Sequence, residues 1–553
     1  MILVCSCTLS MALITGCFKN DSMVIEESNI STIELLNQVN DKNVNKYKNI
    51  VKNFNLGNVT LEDGDKKIDI DLKGIIGVPR EIEDAPIIFI ISGNNNSLYI
   101  SDGININSEE NKYSDSYSGF KYLVEKLSSN GFLTVAISTD IQIDDNSLVE
   151  DKILGLVFEE HLNNLKRAIN GKHNNYPVSL YKKGDLNSIG LIGQNNTGRT
   201  IFNISNQQLS KNNSSIKGLL SIAPSVGTSV SSYPDIPTSI LSTEHSLDTR
   251  IAFDVYSDIE KSNGRKSVLG LTYLIGGDSD KFNDLVKEGT LNKDYEESKL
   301  AKASLKPNED TITDELSHEE FLASYTLDFF EYVFGDNLKE SIYRSDFPSV
   351  QKLYEKEILS KLYNGSKKII LDNNIVDNLI LDKIKSKSVI ESSVTTLDTA
   401  INFNEPTTNI ELKLFELDWR EENASLSIPI DSSTTLLSDY SCISIEWALN
   451  HASELNKEDI TSVSVSLKDS LGNISEVVLL DELPLQKISG EATVSIEDNK
   501  STSNWSRFTP IAETRIPIEL FENINLEDIT SLSINFNENE IGSIYLKNVH
   551  LKK

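Results

Sequence analysis

The chain predicts an α/β domain on an open, twisted, mostly parallel sheet with flanking helices, followed by an all-β antiparallel sandwich. Three observations predict it. Between residues 51 and 335, short runs apolar on both faces alternate with stripes at helical spacing. From about residue 393 the pattern becomes apolar–polar alternation broken by turn residues. At 553 residues the chain is too long for one hydrophobic core, so two or more domains are expected.

The first segment reads as an address. Residues 1–16, MILVCSCTLSMALITG, are an apolar run of signal-peptide length, short for a permanent span. The run closes on Ile14-Thr15-Gly16-Cys17, ahead of the polar Lys19-Asn20-Asp21-Ser22. An apolar residue, two small residues and a cysteine resemble the lipobox of bacterial lipoproteins. That resemblance implies lipid on Cys17, a membrane partner and an extracytoplasmic, envelope location, because several acyl chains hold a soluble domain firmly. No Lys or Arg precedes the apolar run, and an uncleaved apolar N-terminus is the alternative. The four cysteines are Cys5, Cys7, Cys17 and Cys442. With the signal removed and Cys17 acylated, no intramolecular disulfide remains, and Cys442 reads as a buried small hydrophobe.

Residues 17–50 are polar and acidic, a tether with an entry helix. In the α/β region, 51–335, the strands are Ile87–Ile91, Leu133–Ile137, Ile189–Gly193, Gly218–Ala223 and Leu271–Ile275. Phe120, Leu123, Val124 and Leu127 stripe one helix, and Leu154, Val157, His161, Leu165 and Ile169 a longer one. Leu322, Tyr325, Phe329 and Val333 stripe a third, which ends at Gly335. Residues 336–392, rich in Lys, Asn and Ser, read as a helical connector. In 393–553 the strands include Ile410–Leu414, Cys442–Trp447, Val463–Leu467 and Leu532–Phe536, with a hairpin-like turn at Asp469–Asn473.

Composition excludes some functions. With 39% hydrophobic and 24% charged residues the chain is an ordinary globular one, not collagen-like or wholly disordered. A formal charge of −31 repels phosphate backbones, so nucleic acid is not an expected partner, and it disfavours lying flat on an anionic membrane. No Cys/His cluster has zinc spacing, and no dinucleotide fingerprint is present, so neither metal nor cofactor is expected. Asp63-Gly64-Asp65 through Asp71 has the composition of a calcium loop, but Ile68 and Ile70 alternate as in a strand.

The order of elements over roughly 65–335 resembles the α/β-hydrolase family, and most closely a bacterial secreted group that pairs this domain with a C-terminal β-sandwich. The stretch LNSIGLIGQNNTGRT is similar to the strand-to-helix nucleophile elbow, GLLSIAPSV to the next strand, and LTYLIGGDSDKFND to the last strand and its histidine loop. The resemblance implies G-x-S-x-G with the nucleophile exposed on a strained turn, a histidine to take its proton, and an acid to orient that histidine. Here Gly193-Gln194-Asn195-Asn196-Thr197-Gly198 puts Asn195 at the nucleophile position. An amide nitrogen, its lone pair delocalised, is no acyl-transfer nucleophile. Shifting the register by two would make Thr197 the nucleophile, with Asn195 and Arg199 crowding the turn. The acid position falls near Asp248, and the histidine position holds Ser279.

No histidine lies between 246 and 317. His318 comes one helix late and reads as solvent-facing or capping, and His161 as a core residue. His245, in the acid loop, has no Ser partner at the elbow. Where the family has a His-Gly pair, this chain has Ser92-Gly93, followed by Asn94. Ser92, Gly93, Asn94, Gln194, Asn196 and His245 are therefore candidate ligand contacts for a polar small molecule or glycan, with plain solvated turns as the bland alternative.

The closing stretch SLSINFNENEIGSIYLKNVHL resembles the last strands of jelly-roll, carbohydrate-binding-like domains. Trp419, Trp447 and Trp505 are then either stacking platforms or core. Three functions stay open: a lipoprotein with a degenerate hydrolase-like domain, an esterase-like hydrolase using Thr197 or Ser279 with His245, and a glycan binder acting through its C-terminal domain.

Overall fold

The computed structural model describes residues 38–39, 45–63, 66–92, 116–139, 150–225, 228–244, 249–262, 264–284, 315–335, 341–371, 379–390, 413–450, 453–456, 460, 462–475, 477–481, 483–485, 510–537 and 539–553. In chain order the first unit runs β1 (Gln38–Val39), β2 (Asn49–Asp63), β3 (Lys66–Pro79), β4 (Ala85–Ile91), α1 (Lys121–Ser129), β5 (Leu133–Ile137) and α2 (Glu150–Ile169). It continues through β6 (Gly184–Gln194), α3 (Thr197–Ser210), β7 (Ile216–Ile222), β8 (Thr238–Thr243), α4 (Thr249–Lys261) and β9 (Leu269–Leu274). Helix α5 (Glu315–Phe334), β10 (Lys352–Leu353) and β11 (Lys356–Tyr363) close it.

These strands form one mixed sheet in the order β1-β10-β11-β9-β8-β7-β6-β4-β5-β3-β2. The segment β5-β4-β6-β7-β8-β9 is parallel, and β2, β3 and β11 join antiparallel. Its strands are apolar throughout because both faces are covered. Ile87, Phe89 and Ile91 enter one core with α2, α3 and α4, while Ile88 and Ile90 enter the other with α1 and α5. Strand β4 lies between β5 and β6, so the chain leaves it in opposite directions. A crevice outside the C-terminal ends of β4 and β6 is where such sheets place ligands. Ser92 and the bend after Gln194 stand there.

Asp69 and Asp71 of the acidic run lie exposed on β3, where Ile68, Ile70 and Leu72 alternate with them and are buried, while Gly64 and Asp65 lie outside the described residues. Strand alternation, not a calcium loop, accounts for that pattern.

Two expectations are corrected. The stretch 336–392 is not helical among its described residues. It holds β10 and β11, then β12 (Lys367–Leu371), β13 (Ile380–Asp382) and β14 (Ile384–Ile390). In Lys356–Tyr363, Ile358 and Leu362 reach the core shared with α5, so this Lys-rich segment is an added edge strand. The entry helix is likewise not found in the described part of 17–50, which contributes β1 and the start of β2.

The remaining strands are β15 (Lys413–Trp419), β16 (Ser425–Pro429), β17 (Cys442–Leu449), β18 (Ser462–Asp469), β19 (Val478–Asp481), β20 (Ala512–Pro517), β21 (Ile529–Asn535) and β22 (Gly542–Lys552). They make two antiparallel sheets, β14-β15-β22-β17-β20 with β12 on β22, and β13-β16-β21-β18-β19. Both inner faces feed one core. Trp419 stacks on Phe536 at 4.2 Å and donates to Asn539 O (2.9 Å); Trp447 donates to Thr514 Oγ1 (2.9 Å). Both indoles are fully buried, so the stacking-platform reading fails for these two; Trp505 lies outside the described residues. The Asp469 carboxylate accepts from the N–H groups of Leu471 and Asn473, which fixes the expected turn. Cys442 is buried, and burial pushes its thiol up to about 11, as for an inert core residue.

The outer face of the β17–β20–β22 sheet meets the first unit through buried charges. Lys361 on β11 pairs with Glu446 (2.7 Å), which Lys547 also approaches (3.2 Å), and Lys367 pairs with Glu260 of α4 (2.9 Å). Glu513 pairs with Lys552 and lies 3.6 Å from Arg515. These last groups also serve the edge of β11: Glu513 accepts from Leu362 N–H (2.6 Å) and Lys552 donates to Leu362 O.

Candidate functional site

The bend at the end of β6 is built as the sequence requires. A Cβ on Gly193 would lie 2.2 Å from Thr197 O, so only glycine lets the strand turn straight into α3. Gly193→Ala is therefore expected to lower stability by about 2 kcal/mol, read as a shift in the urea midpoint with an unchanged slope. Asn195 occupies the apex at φ +56°. Its N–H donates to Ile222 O (2.9 Å), and its C=O accepts from Gly198 N–H (3.0 Å) and Ser225 N–H (3.1 Å). Ala223, at the end of neighbouring β7, also has a positive φ, +41°. Left-handed backbone at two adjacent strand ends is the kind of local strain that collects at functional sites.

Asparagine suits that apex because it tolerates the left-handed region better than other side chains bearing a Cβ. Asn195→Ser is accordingly expected to cost about 1 kcal/mol and Asn195→Gly close to nothing, measured by chemical unfolding.

The Thr197 hydroxyl is bound into the backbone of the bend. It is buried, donates toward Ile91 O (2.6 Å) and Gln194 O (2.8 Å) and accepts from Gln194 N–H (2.9 Å). Those contacts use its hydrogen-bonding capacity to lock the bend onto β4. Asn196 turns its side-chain oxygen onto Thr197 N–H (2.9 Å), capping α3.

Ser92 is buried at the end of β4, with its hydroxyl 2.8 Å from that of Ser116 and its carbonyl accepting from the Thr139 hydroxyl (2.6 Å). Asn283, after the turn Ser279–Phe282, donates to Ser116 O (3.0 Å). Gln194 donates through its side-chain amide to Ser279 O (2.8 Å), so the bend and the loop after β9 meet. Ser279 makes that contact through its carbonyl. Gly93, Asn94, His245, Asp248 and Cys17 lie outside the described residues.

One residue the sequence did not single out and one it placed differently also border this loop. His318 is corrected: it is buried rather than solvent-facing, and its Nε2 accepts from Asp278 N–H (3.1 Å) in the loop after β9. Glu244, one residue beyond β8, accepts from Gly276 N–H (2.8 Å) in that loop. Neither is signalled locally, since His318 is 40 residues from its partner and Glu244 is 32.

The site is thus a set of hydroxyls and amides with Glu244, Asp278 and His318 around its far loop. This chemistry donates and accepts hydrogen bonds. Among the described residues it places no hydroxyl nucleophile at the bend, and no group of three or more His, Cys, Asp or Glu is set to hold a metal. No helix among the described residues is long and apolar enough to cross a membrane.

No protein-family model matches the chain, and no curated protein matches it.

Proposed function

We propose that the protein is a lipid-anchored envelope lipoprotein whose first unit is an α/β-hydrolase-like domain that no longer performs Ser-His-acid catalysis and binds a polar ligand reversibly. The C-terminal unit is then a jelly-roll-like companion, and Cys17 is the acylated anchor. The observation that carries this reading is Asn195 at φ +56° on a glycine-gated strand-to-helix bend. A hydrolase-like scaffold puts its nucleophile on such a turn. An amide there keeps the shape without the reactivity. The locked Thr197 hydroxyl and the occupied Nε2 of His318 support the same reading.

The test is turnover of short-chain p-nitrophenyl esters by the mature protein and by Asn195→Ser. Both are expected to stay at the buffer rate, because His318 Nε2, which would have to take the proton of a serine at the apex, already accepts from Asp278 N–H. Turnover by the unaltered protein that disappears in His245→Ala or Ser279→Ala would favour the esterase alternative instead.

A further inference from the structure

We infer that His318 is a proton-sensitive clamp on the loop after β9, so that charging its imidazole loosens the wall of the candidate site carried by Ser279. The inference rests on the binding-site reading only for its functional meaning; the clamp itself is a matter of geometry.

A ring nitrogen that accepts a backbone N–H must carry a lone pair, so the contact from Asp278 N–H to His318 Nε2 requires a neutral imidazole with its proton on Nδ1. Protonation turns Nε2 into a donor facing another donor, and a buried hydrogen bond becomes a repulsion. The loop cannot absorb this by rotating away, because it is pinned elsewhere. Gly276 N–H is held by Glu244, Ser279 O by Gln194, and the Phe282 ring packs 6.0 Å from the imidazole.

The charged surroundings favour rearrangement over simple loss. Asp278 turns its carboxylate onto Asp280 N–H (3.0 Å), capping the short turn that carries Ser279. An imidazolium competes for that carboxylate, and the turn uncaps. Asp280, Lys281 and Asp284 belong to the same loop, and Glu319 and Glu320 follow His318 on α5. Helix α1 brings the Tyr122 hydroxyl, which donates to Phe282 O (2.9 Å) and is kept neutral by burial and by Asp284. Strand β7, also packed on α5, carries Lys217 at its far, exposed end.

The experiment is hydrogen exchange of a peptide covering residues 276–284 in the ligand-free protein between pH 8 and 5, corrected for intrinsic rates, beside His318→Gln. Glutamine keeps a side-chain acceptor at every pH and cannot titrate. In the unaltered protein, protection is expected to fall about tenfold across one proton uptake, and in His318→Gln to stay flat. Flat protection in the unaltered protein would overturn the clamp, whatever the variant does. An equal fall in both proteins would also overturn it. Because no ligand is added, a failed clamp is distinguishable from a failed binding-site reading.

Discussion

Glu513→Leu is expected to destabilise the protein by about 3–5 kcal/mol, because it removes one side of a buried charge group and leaves the other side uncompensated. Burial alone would raise the Glu513 carboxyl, but Lys552 and Arg515 outweigh it and hold the group at about 2. The same carboxylate accepts from Leu362 N–H, so the variant also strands an edge N–H of β11. The loss is read from the urea midpoint of the full chain. Removing the opposing cation as well, in Glu513→Leu with Lys552→Met, should restore part of it. A single variant within 1 kcal/mol of the unaltered protein, about the noise of surface substitutions, would mean that this interface is solvated.

Acid should destabilise the fold through its buried histidines before it reaches carboxylates such as Glu513, whose share is lost only as pH falls below about 4.5. His161 is buried between α2 and the β2–β3 hairpin beside Phe54, with no hydrogen-bond partner on either nitrogen. Burial lowers it from 6.5 to about 3. Burial first, and then the Lys552 charge, lower His550 to about 3 as well. Both are neutral in the fold. Between pH 6.5 and 3 the unfolded chain takes up protons that the folded one refuses. Stability is therefore full above about pH 6.5 and falls as pH drops through that window, by on the order of 4 kcal/mol for each histidine. His161→Leu should remove one such share and lower the acid-unfolding midpoint, while leaving a shallower dependence from His550. An acid midpoint identical to that of the unaltered protein would show that His161 is hydrated in the fold.

The parallel strands were legible because each is a run apolar on both faces, and Ile87–Ile91 and Leu133–Ile137 fall inside β4 and β5. The bend was legible because Gly193 and Asn195 answer local backbone demands that neighbours in sequence already show. Lys356–Tyr363 was not, since its apolar spacing fits a helix or an edge strand and only pairing with β9 decides. His318 and Glu244 were hidden for a related reason. Their partners are backbone N–H groups far along the chain, and a backbone N–H leaves no residue-type signature. The charge lattice between the units was equally hidden, because Lys361, Glu446 and Glu513 read singly as surface residues.

The measurement that tests the central claim most directly is the intact mass of the mature protein after exposure to a fluorophosphonate, a reagent that forms a covalent adduct with an activated hydroxyl. With an amide at the apex of the bend and the Thr197 hydroxyl bound into the backbone, the mass should stay that of the untreated protein. One adduct per chain, mapped to a serine or threonine at the C-terminal ends of β4 and β6, would contradict the account.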